Sequence, residues 1–459
     1  MPFVATLGLI ARLQRTPFRK WPTLELSVAE ASAVYMLSFL VSAAFGVVRQ
    51  GLLNARFGLG VEAAAYYAAF RLPETVATLI AGGTLTNALI PVLLRVSARD
   101  GEAAMQRLVN GVLTLLLVGG APLCAVAALG APFFVQTVLA PGFDPALQQL
   151  TADLARIMLL EVLLLVTESA LIALLISRNQ ILLPAVAIAL RNLTLIGGVA
   201  LSFAVPAVGI YGPTVGAIFD ALLQLVLLAP GLRRRGYRPR FVWMPQNADV
   251  RAVGRLLWPN AVGGLSNYAT SIVDTAFASL SGLTAALGAI LNAWLLAGLP
   301  VRLLGSAIGQ ATLPSLALLS LAGNLAELRR VLRRTLLVAL GLAVVAAAAL
   351  ILFGRALIGL LFERGAFDAA AADLTYWLLT LYALGMPAYV LTEIATRALV
   401  ARYDTTTAMG ANLVQLAVRM ALLAVLLSQL GAGAVPLAHA LSAAIETVLL
   451  LVVLWWKVR

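Results

Sequence analysis

The stretch that decides the fold reads LIAGGTLTNALIPVLLRVSARDG and covers residues 79–101. A related stretch, RLLGSAIGQATLPSLALLSLAGN at residues 302–324, begins 223 residues later. The likeness continues, shifted by one more residue, in GAPFFVQTVLAPGFDPA (130–146) and GRALIGLLFERGAFDAA (354–370). A duplicated half inside an apolar chain is typical of secondary transporters. The repeat therefore predicts two equivalent lobes.

The composition is that of a membrane protein. Hydrophobic residues make up 62% of the 459 positions and charged residues only 11%, whereas soluble domains carry about a quarter charged residues. No charged residue lies between Arg107 and Asp144 or between Arg334 and Arg355. A helix needs about 20 apolar residues to cross a bilayer, and backbone groups inside the bilayer must be satisfied within the segment. These runs predict an all-α polytopic membrane protein.

The apolar runs predict twelve spanning helices, six in each lobe. They are expected at about 28–48, 61–94, 108–129, 153–176, 181–204, 212–230, 256–280, 284–319, 333–353, 370–399, 405–429 and 433–456. Of the 32 basic residues, 23 fall on one set of alternating polar ends, six on the other and three inside helices. Basic residues concentrate on the cytoplasmic side, so both termini are predicted to be cytoplasmic.

The distribution of charge also predicts the domain organisation. A basic N-terminal segment (1–27) precedes an N-lobe (28–230), and a basic linker (231–255) leads to a C-lobe (256–459). The net charge of +12 is explained by this topology, so nucleic acid is not an expected partner. The single cysteine excludes a disulfide within the chain, and the sequence contains no cysteine-based metal cluster.

Three motifs resemble those of the MurJ/MviN lipid II flippases, a family in the superfamily of multidrug, oligosaccharidyl-lipid and polysaccharide flippases. The segment SAAFGVVRQGLLNARFGLGVEAAAYYAAFRLPETVATLIAGGTLTNALIPVLL, from Ser42, is similar to the opening signature of the family. VDTAFASL, from Val273, resembles its seventh-helix motif, and LFERGAFDAAAADLTYWLLTLYALGMPAYVLTEIATRALVARYDTTTAM, from Leu361, resembles its late signature. The resemblance runs from about residue 28 to 457.

The resemblance implies a MATE/MurJ-like fold, in which two lobes expose a central cavity to either side of the membrane in turn. It implies a flippase, not an enzyme, in the cytoplasmic (inner) membrane of a bacterium. The cargo would be lipid II, the lipid-linked precursor of peptidoglycan, and membrane lipids would be the other partners. Family members commonly have fourteen helices, so the final pair is expected to be absent. The sequence does not indicate an oligomeric state.

Several positions depart from the family pattern. Ala43, Ala64, Ala77 and Leu295 stand where the family places charged residues. The motifs still predict the fold, but these losses leave the cargo open. Two alternatives to lipid II are a different polyprenyl-linked glycan and an amphipathic drug exchanged for a cation.

Arg49, Arg71 and Arg302 are the candidate residues for binding the diphosphate of the cargo. Arg49 and Arg71 match basic positions of the family motifs, whereas Arg302 follows Leu295 by seven residues and so lies on the same helical face. The planar guanidinium suits phosphate because it donates two hydrogen bonds at once. For Arg302, two alternatives are an ion pair with Asp274 and extension of the side chain towards the interface.

Asp274, Asp404 and Asn267 are the candidate cation site. The two acids match positions near which the family is thought to bind a coupling Na⁺, and oxygen ligands suit such a cation. Asn267 precedes Asp274 by seven residues. The alternative for Asp404 is a helix N-cap in ARYDTTT. No other cofactor is predicted.

Other polar residues within the predicted helices are expected to have structural roles. Arg191 is predicted to pair with an acid such as Glu168, and His439 to pack inside its helix bundle. Pro73, Pro300 and Pro314, with nearby glycines, are predicted to kink the helices that contain them; the alternative is that the small residues allow tight helix packing, and the two are compatible.

Overall fold

The computed structural model describes residues 27–81, 85–234, 236–402 and 404–458, apart from the side chains of residues 28, 259, 260, 262, 263, 266, 267 and 458. The predicted basic segment at 1–27 lies outside the described residues except for Ser27, and so do the glycines at positions 82 and 83 in the predicted second helix.

The described residues form helices joined by turns and, between α8 and α9, by a longer non-helical segment at residues 236–247. The α-helices are α1 (Val28–Phe57), α2 (Val61–Ala69), α3 (Arg71–Ala81), α4 (Leu85–Phe134), α5 (Pro145–Ser177), α6 (Leu182–Leu190), α7 (Leu193–Ala204), α8 (Tyr211–Arg234), α9 (Ala248–Leu280), α10 (Ala285–Val301), α11 (Ala307–Leu321), α12 (Leu325–Phe362), α13 (Ala369–Val400), α14 (Thr405–Leu430) and α15 (Ala434–Val458). The structure also contains four short helical turns. Two are π-helical, at Val135–Leu139 and Arg302–Ser306, and two are 3₁₀ turns, at Pro206–Val208 and Gly431–Gly433.

Among the described residues, nine helical stretches are long and apolar enough to cross a membrane. Two of them, Val61–Leu139 and Thr405–Lys457, are 79 and 53 residues long. The first contains a break at Gly101, where φ is 79°, and the second contains the turn at Gly431–Gly433. The all-α polytopic class is confirmed. The predicted count of twelve spans is not confirmed, because α9, which covers the span predicted at 256–280, is not among these nine stretches.

Packing divides the chain into two compact units. The first contains the described residues up to Arg56 together with Ala69–Val135 and Ala146–Tyr268, and the second contains Phe57–Ala68, Gln136–Pro145 and Ala269–Arg459. In the first unit, α4, α5 and α8 share an apolar core. In the second, α13 packs against α10, α12 and α15.

Two of the helix irregularities follow directly from the sequence. Gly101 adopts a positive φ, which glycine tolerates and other residues rarely do, and it separates the two parts of α4. The π-helical turn at Arg302–Ser306 comes directly after Pro300 and joins α10 to α11. Proline removes a backbone donor and interrupts the helical ladder, which explains an irregular turn at this point; the bend predicted at Pro300 stays a prediction.

A close helix crossing in the first unit gives a test of the packing. A methyl group on Gly198 of α7 would lie 2.3 Å from the carbonyl oxygen of Gly212 in α8, whereas one on Gly197 would meet nothing within 4 Å. We expect Gly198→Ala to cost about 1–3 kcal/mol through overpacking. Its apparent Tm in detergent should fall. Gly197→Ala should leave the apparent Tm unchanged or raise it, because alanine favours a helix more than glycine. Equal apparent Tm values for the two variants would contradict the close crossing.

Candidate functional site

A cavity of about 530 Å³ lies inside the first unit. Residues of α1, α3, α4, α5 and α8 line it, together with the α6–α7 junction and part of α9. The polar lining residues are Arg49, Thr78, Thr86, Asn87, Glu161, Ser169, Arg191, Asn192, Asp220 and Tyr268. The volume is in the range of small-molecule sites. So many polar groups in a membrane-spanning unit mark it as the candidate binding site.

Arg49 is half-buried and held in place in this cavity. Its Nη1 donates a hydrogen bond of 3.0 Å to Oδ1 of Asn192, and Nδ2 of Asn192 donates one of 3.1 Å to the carbonyl oxygen of Ser42. Asn192 lies between α6 and α7, so its side chain ties α1 to that junction. Among the described residues this is the hydrogen bond that the guanidinium makes, so its Nε and Nη2 can meet an anion in the cavity.

A second arginine, Arg191, enters the same cavity. Its Nη2 lies 3.5 Å from Oε1 of Glu168, and its side chain is 51% exposed while that of Glu168 is 3% exposed. The predicted pairing of Arg191 with Glu168 is confirmed. Sequence reasoning assigned this arginine no functional role, although its position between two apolar helices was a signal, because a charge inside the membrane is costly to keep.

The cavity also contains carboxylates, so its charge is mixed. Glu161 and Asp220 are lining residues, and Oγ1 of Thr194 donates a hydrogen bond of 3.2 Å to Oδ1 of Asp220. The site therefore combines two arginines with at least two acids, a mixture that the candidate residues Arg49, Arg71 and Arg302 alone did not indicate. The two guanidiniums are the groups that attract an anion, and the acids limit how much negative charge the site accepts.

Arg71 is placed differently from Arg49. Its Nη1 forms an ion pair of 3.0 Å with Oε2 of Glu74 on the same helix, and its side chain is 16% exposed. Its neighbour Phe70 lines the cavity, but Arg71 is not among the lining residues of the described part of the chain. Arg71 therefore does not share the lining of this cavity with Arg49, and its role in binding a diphosphate stays a prediction.

Arg302 is an exposed residue of the second unit. It begins the π-helical turn after Pro300, and its Nη2 would lie 3.6 Å from a Cβ on Gly298, one turn earlier. The alternative of an ion pair with Asp274 is wrong: within the described residues, the partner of that acid is Arg419. The role of Arg302 in cargo binding stays a prediction.

Asp274 and Arg419 form a buried ion pair in the second unit. Their Oδ2 and Nη2 atoms are 2.5 Å apart, and the side chains are 19% and 0% exposed. Aromatic rings fill the neighbouring space: the ring of His439 lies 4.8 Å from Trp294 and 4.7 Å from Tyr389, between centroids. The prediction that His439 is packed is confirmed.

Asp404 caps the start of α14. Its Oδ1 accepts a hydrogen bond of 3.2 Å from the backbone nitrogen of Thr407, and its Oδ2 pairs with the ammonium of Lys457. The ammonium, together with these hydrogen bonds, holds the pKa of this carboxyl well below its usual range. The N-cap alternative is therefore confirmed.

These contacts bear on whether Asp274, Asp404 and Asn267 fit a sodium ion. Each acid already has a cation of the protein beside it, Arg419 and Lys457 respectively. The side chain of Asn267 is outside the described residues. A further cation would be repelled by the guanidinium and the ammonium, so the residues as arranged do not fit sodium. Among the described residues there is also no cluster of three or more His, Cys, Asp or Glu that would hold a metal.

The fold and the buried charges define the class of protein. An all-helical membrane chain with an internal repeat and a charged cavity inside a helical unit has the features of a membrane transporter. A sequence model of the lipid II flippase MurJ family matches residues 53–458. The chain belongs to the MurJ family of lipid II flippases.

Relatives and solved structures agree with this. A "Probable lipid II flippase MurJ" of Rhizobium meliloti (strain 1021) is 30% identical over 428 residues, which are 91% of this chain and 79% of the relative. One of Bdellovibrio bacteriovorus is 31% identical over 427 residues, 90% of this chain and 79% of the relative. A structure of lipid II flippase MurJ in an inward closed conformation matches with a TM-score of 0.76 and 19% identity, covering 92% of this chain and 87% of that one.

The wider superfamily shares the fold. An inward-facing multidrug resistance MATE family transporter of the MOP superfamily matches with a TM-score of 0.72 and 12% identity, covering 93% of this chain and 97% of that chain. The predicted MATE/MurJ-like fold class is confirmed.

Proposed function

We propose that this chain translocates lipid II across the cytoplasmic membrane of a bacterium by alternating access. The observation that carries the proposal is the placement of Arg49 in the cavity of the first unit, with Arg191 lining the same space. The match to the MurJ family over residues 53–458 supports lipid II as the cargo.

The chemistry of the cargo explains why guanidiniums are needed. A diphosphate carries negative charge that is expensive to remove from water. Arginine donors in a polar cavity replace part of the hydration by charge-assisted hydrogen bonds. Arg49 is held by Asn192 before the cargo arrives, so less ordering entropy is lost on binding. The sugar and peptide of the cargo would meet the polar lining, and the polyprenyl tail would stay in the bilayer.

The proposal includes the orientation of the chain in the membrane. We place both termini in the cytoplasm because the basic residues concentrate on one set of helix ends. In this proposal the cavity would receive the head group of the cargo on the cytoplasmic side and release it on the opposite side. The two lobes predicted from the sequence repeat would supply the movement. Na⁺ coupling stays a prediction that the ion pairs of Asp274 and Asp404 do not support.

Complementation of a bacterium depleted of its lipid II flippase tests the proposal. We expect the wild-type chain to restore growth and Arg49→Ala to fail at equal membrane abundance. Arg95→Ala, which changes an exposed arginine outside the cavity lining, is the matched control and should rescue. Equal rescue by wild type and Arg49→Ala would remove the cavity assignment, and failure of the wild type would remove lipid II.

A different polyprenyl-linked glycan is the second candidate cargo. It is favoured by the mixed charge of the cavity and by the apolar residues at Ala43, Ala64, Ala77 and Leu295. Such a flippase would still need Arg49 for the phosphate but would fail to replace a lipid II flippase. Rescue of a strain that lacks its exopolysaccharide flippase, without rescue of the lipid II strain, would select this candidate.

A further inference from the structure

A second site of the first unit lies outside the charged cavity. It is an apolar groove of about 570 Å³ between α4, α5, α8 and the segment that follows α8. Its walls are almost entirely hydrocarbon. Its apolar lining residues include Leu113, Leu117, Leu171, Leu225, Leu232 and Phe241.

The groove adjoins a polar pocket with three arginines. This pocket measures about 280 Å³ and is lined by Arg107, Arg238 and Arg240, and it shares Asn110 and Arg240 with the groove. Within the described part of the chain these three guanidiniums form no ion pair with an acid. An elongated apolar space therefore opens directly beside a concentration of positive charge.

Hydrogen bonds fix the segment that carries two of these arginines. The hydroxyl of Tyr237 donates a bond of 2.7 Å to Oδ1 of Asn110, and Nδ2 of Asn110 donates one of 3.0 Å to the carbonyl oxygen of Arg238. The backbone nitrogen of Val242 donates a bond of 3.0 Å to Oγ1 of Thr114. The segment is thereby fastened along α4, which gives the site a defined shape.

The second unit contains a groove built from the corresponding residues. It measures about 480 Å³ and lies along α12, α13 and α15. Its lining residues Arg333, Leu336, Leu337 and Leu340 stand 223 positions after Asn110, Leu113, Thr114 and Leu117, which line the first groove. Leu391 likewise follows Thr167 by 224 positions. These are the two spacings of the sequence repeat.

Both grooves also have basic residues on their lining. Arg233 and Arg240 line the first, and Arg329 and Arg333 line the second, where Trp455 adds an aromatic ring of the kind found at the interface. The two grooves thus share an apolar lining at equivalent positions of the repeat, and each also has two arginines on its lining, which come from non-equivalent positions. All four arginines belong to the helix ends that the basic-residue distribution assigns to the cytoplasm.

We propose that each groove binds one anionic phospholipid of the cytoplasmic leaflet. An acyl chain would fill the apolar channel, and the phosphate would accept hydrogen bonds from the arginines. A bilayer lipid is the occupant that the chemistry selects, because it joins a long apolar chain to a negative head group at this depth. Arginine favours phosphate through its planar, multiple donors. The proposal does not depend on which cargo the charged cavity carries.

Native mass spectrometry of the detergent-solubilised chain with phosphatidylglycerol tests this proposal, with phosphatidylcholine as the lipid without net charge. We expect two tightly retained phosphatidylglycerol molecules per chain. Arg233→Gln with Arg240→Gln should remove one of them and Arg333→Gln should weaken the other. Each arginine lost should lower affinity about fivefold, the change that corresponds to about 1 kcal/mol per basic residue at an anionic surface.

Matched controls separate the grooves from general surface charge. Arg234→Gln and Arg334→Gln change exposed neighbours that do not line the grooves, and both should retain two lipids. Leu117→Trp and Leu340→Trp should each displace one lipid while leaving every arginine in place, because the indole fills the channel. Correct folding of each variant is checked by its apparent Tm.

Three outcomes would overturn the proposal. The first is retention of phosphatidylcholine as tight as that of phosphatidylglycerol. The second is an equal loss of bound phosphatidylglycerol in the groove variants and the control variants, which would show that the lipid binds only to a diffuse basic surface. The third is displacement of the phospholipid by an equimolar polyprenyl monophosphate, which would make the grooves tail sites for cargo.

Discussion

Replacing Arg419 by methionine is expected to lower the apparent Tm more than any other single change considered for this chain. The guanidinium is fully buried and lies 2.5 Å from the carboxylate of Asp274. Removing it leaves an uncompensated charge inside the helical unit, and breaking a buried pair in this way costs about 3–5 kcal/mol. Asp274→Asn should also lower the apparent Tm, because it leaves the buried guanidinium of Arg419 without its carboxylate partner.

The double variant Asp274→Leu/Arg419→Met separates loss of packing from loss of charge balance. A buried pair replaced by apolar residues of similar volume is often neutral or stabilising, so most of the lost stability should return. Arg334→Met, an exposed arginine of the same unit, is the control and should leave the apparent Tm unchanged. Thermal unfolding in detergent measures all four; a double variant as unstable as Arg419→Met would contradict the assignment.

The second large effect concerns cargo affinity. We expect Arg49→Ala to weaken binding of purified lipid II about 10–100-fold, because a hydrogen bond to a charged group contributes about 1.5–3 kcal/mol. Arg191→Ala should cause a loss of similar size through the second guanidinium of the cavity. Asn192→Ala should cause a smaller loss, since it removes only the contact that positions Arg49.

Binding isotherms in detergent or nanodiscs measure these affinities. Arg95→Ala is again the control, because its side chain is exposed and outside the cavity lining. Arg49→Lys is informative as well: it keeps the positive charge but loses the planar donor set, so it should recover only part of the affinity. Full affinity in Arg49→Ala would exclude the cavity as the diphosphate site.

The sequence was sufficient for the fold because its signals are local or repeated. Apolar runs and basic helix ends depend on residues close in the chain, and the repeat at spacings of 223 and 224 predicts equivalent halves. The sequence places a boundary between the predicted spans 61–94 and 108–129, and the helix is interrupted there at Gly101. The span predicted at 256–280 is the one that is not among the long apolar stretches of the described residues. The number of spans was therefore less predictable than their type.

The candidate site was predictable only in part. Family motifs marked Arg49, but its partner Asn192 is 143 residues away, and Asp274 and Arg419 are 145 residues apart. No periodicity connects residues so distant, because tertiary packing alone brings them together. For Asp404 the sequence offered two alternatives, a cation site and an N-cap, and the N-cap could be suggested because it depends only on a backbone nitrogen three residues later. The mixed charge of the cavity required the structure, because Glu161 and Asp220 come from different helices.

Thiol reactivity inside the cavity tests the role of the charged site most directly. The chain has one cysteine, Cys124, which is buried; in a Cys124→Ser background, Asn87→Cys places a thiol on the exposed cavity lining. Val226→Cys, on an apolar surface that is 66% exposed, is the control. A water-soluble thiol reagent should label the first but not the second, because the reactive thiolate requires water.

Lipid II should then slow the labelling of Asn87→Cys, and should fail to do so when Arg49→Ala is added. That result is predicted if the cavity is hydrated and binds the diphosphate head group. A thiol at position 87 that never reacts, or one that reacts at the same rate with and without lipid II, would contradict it.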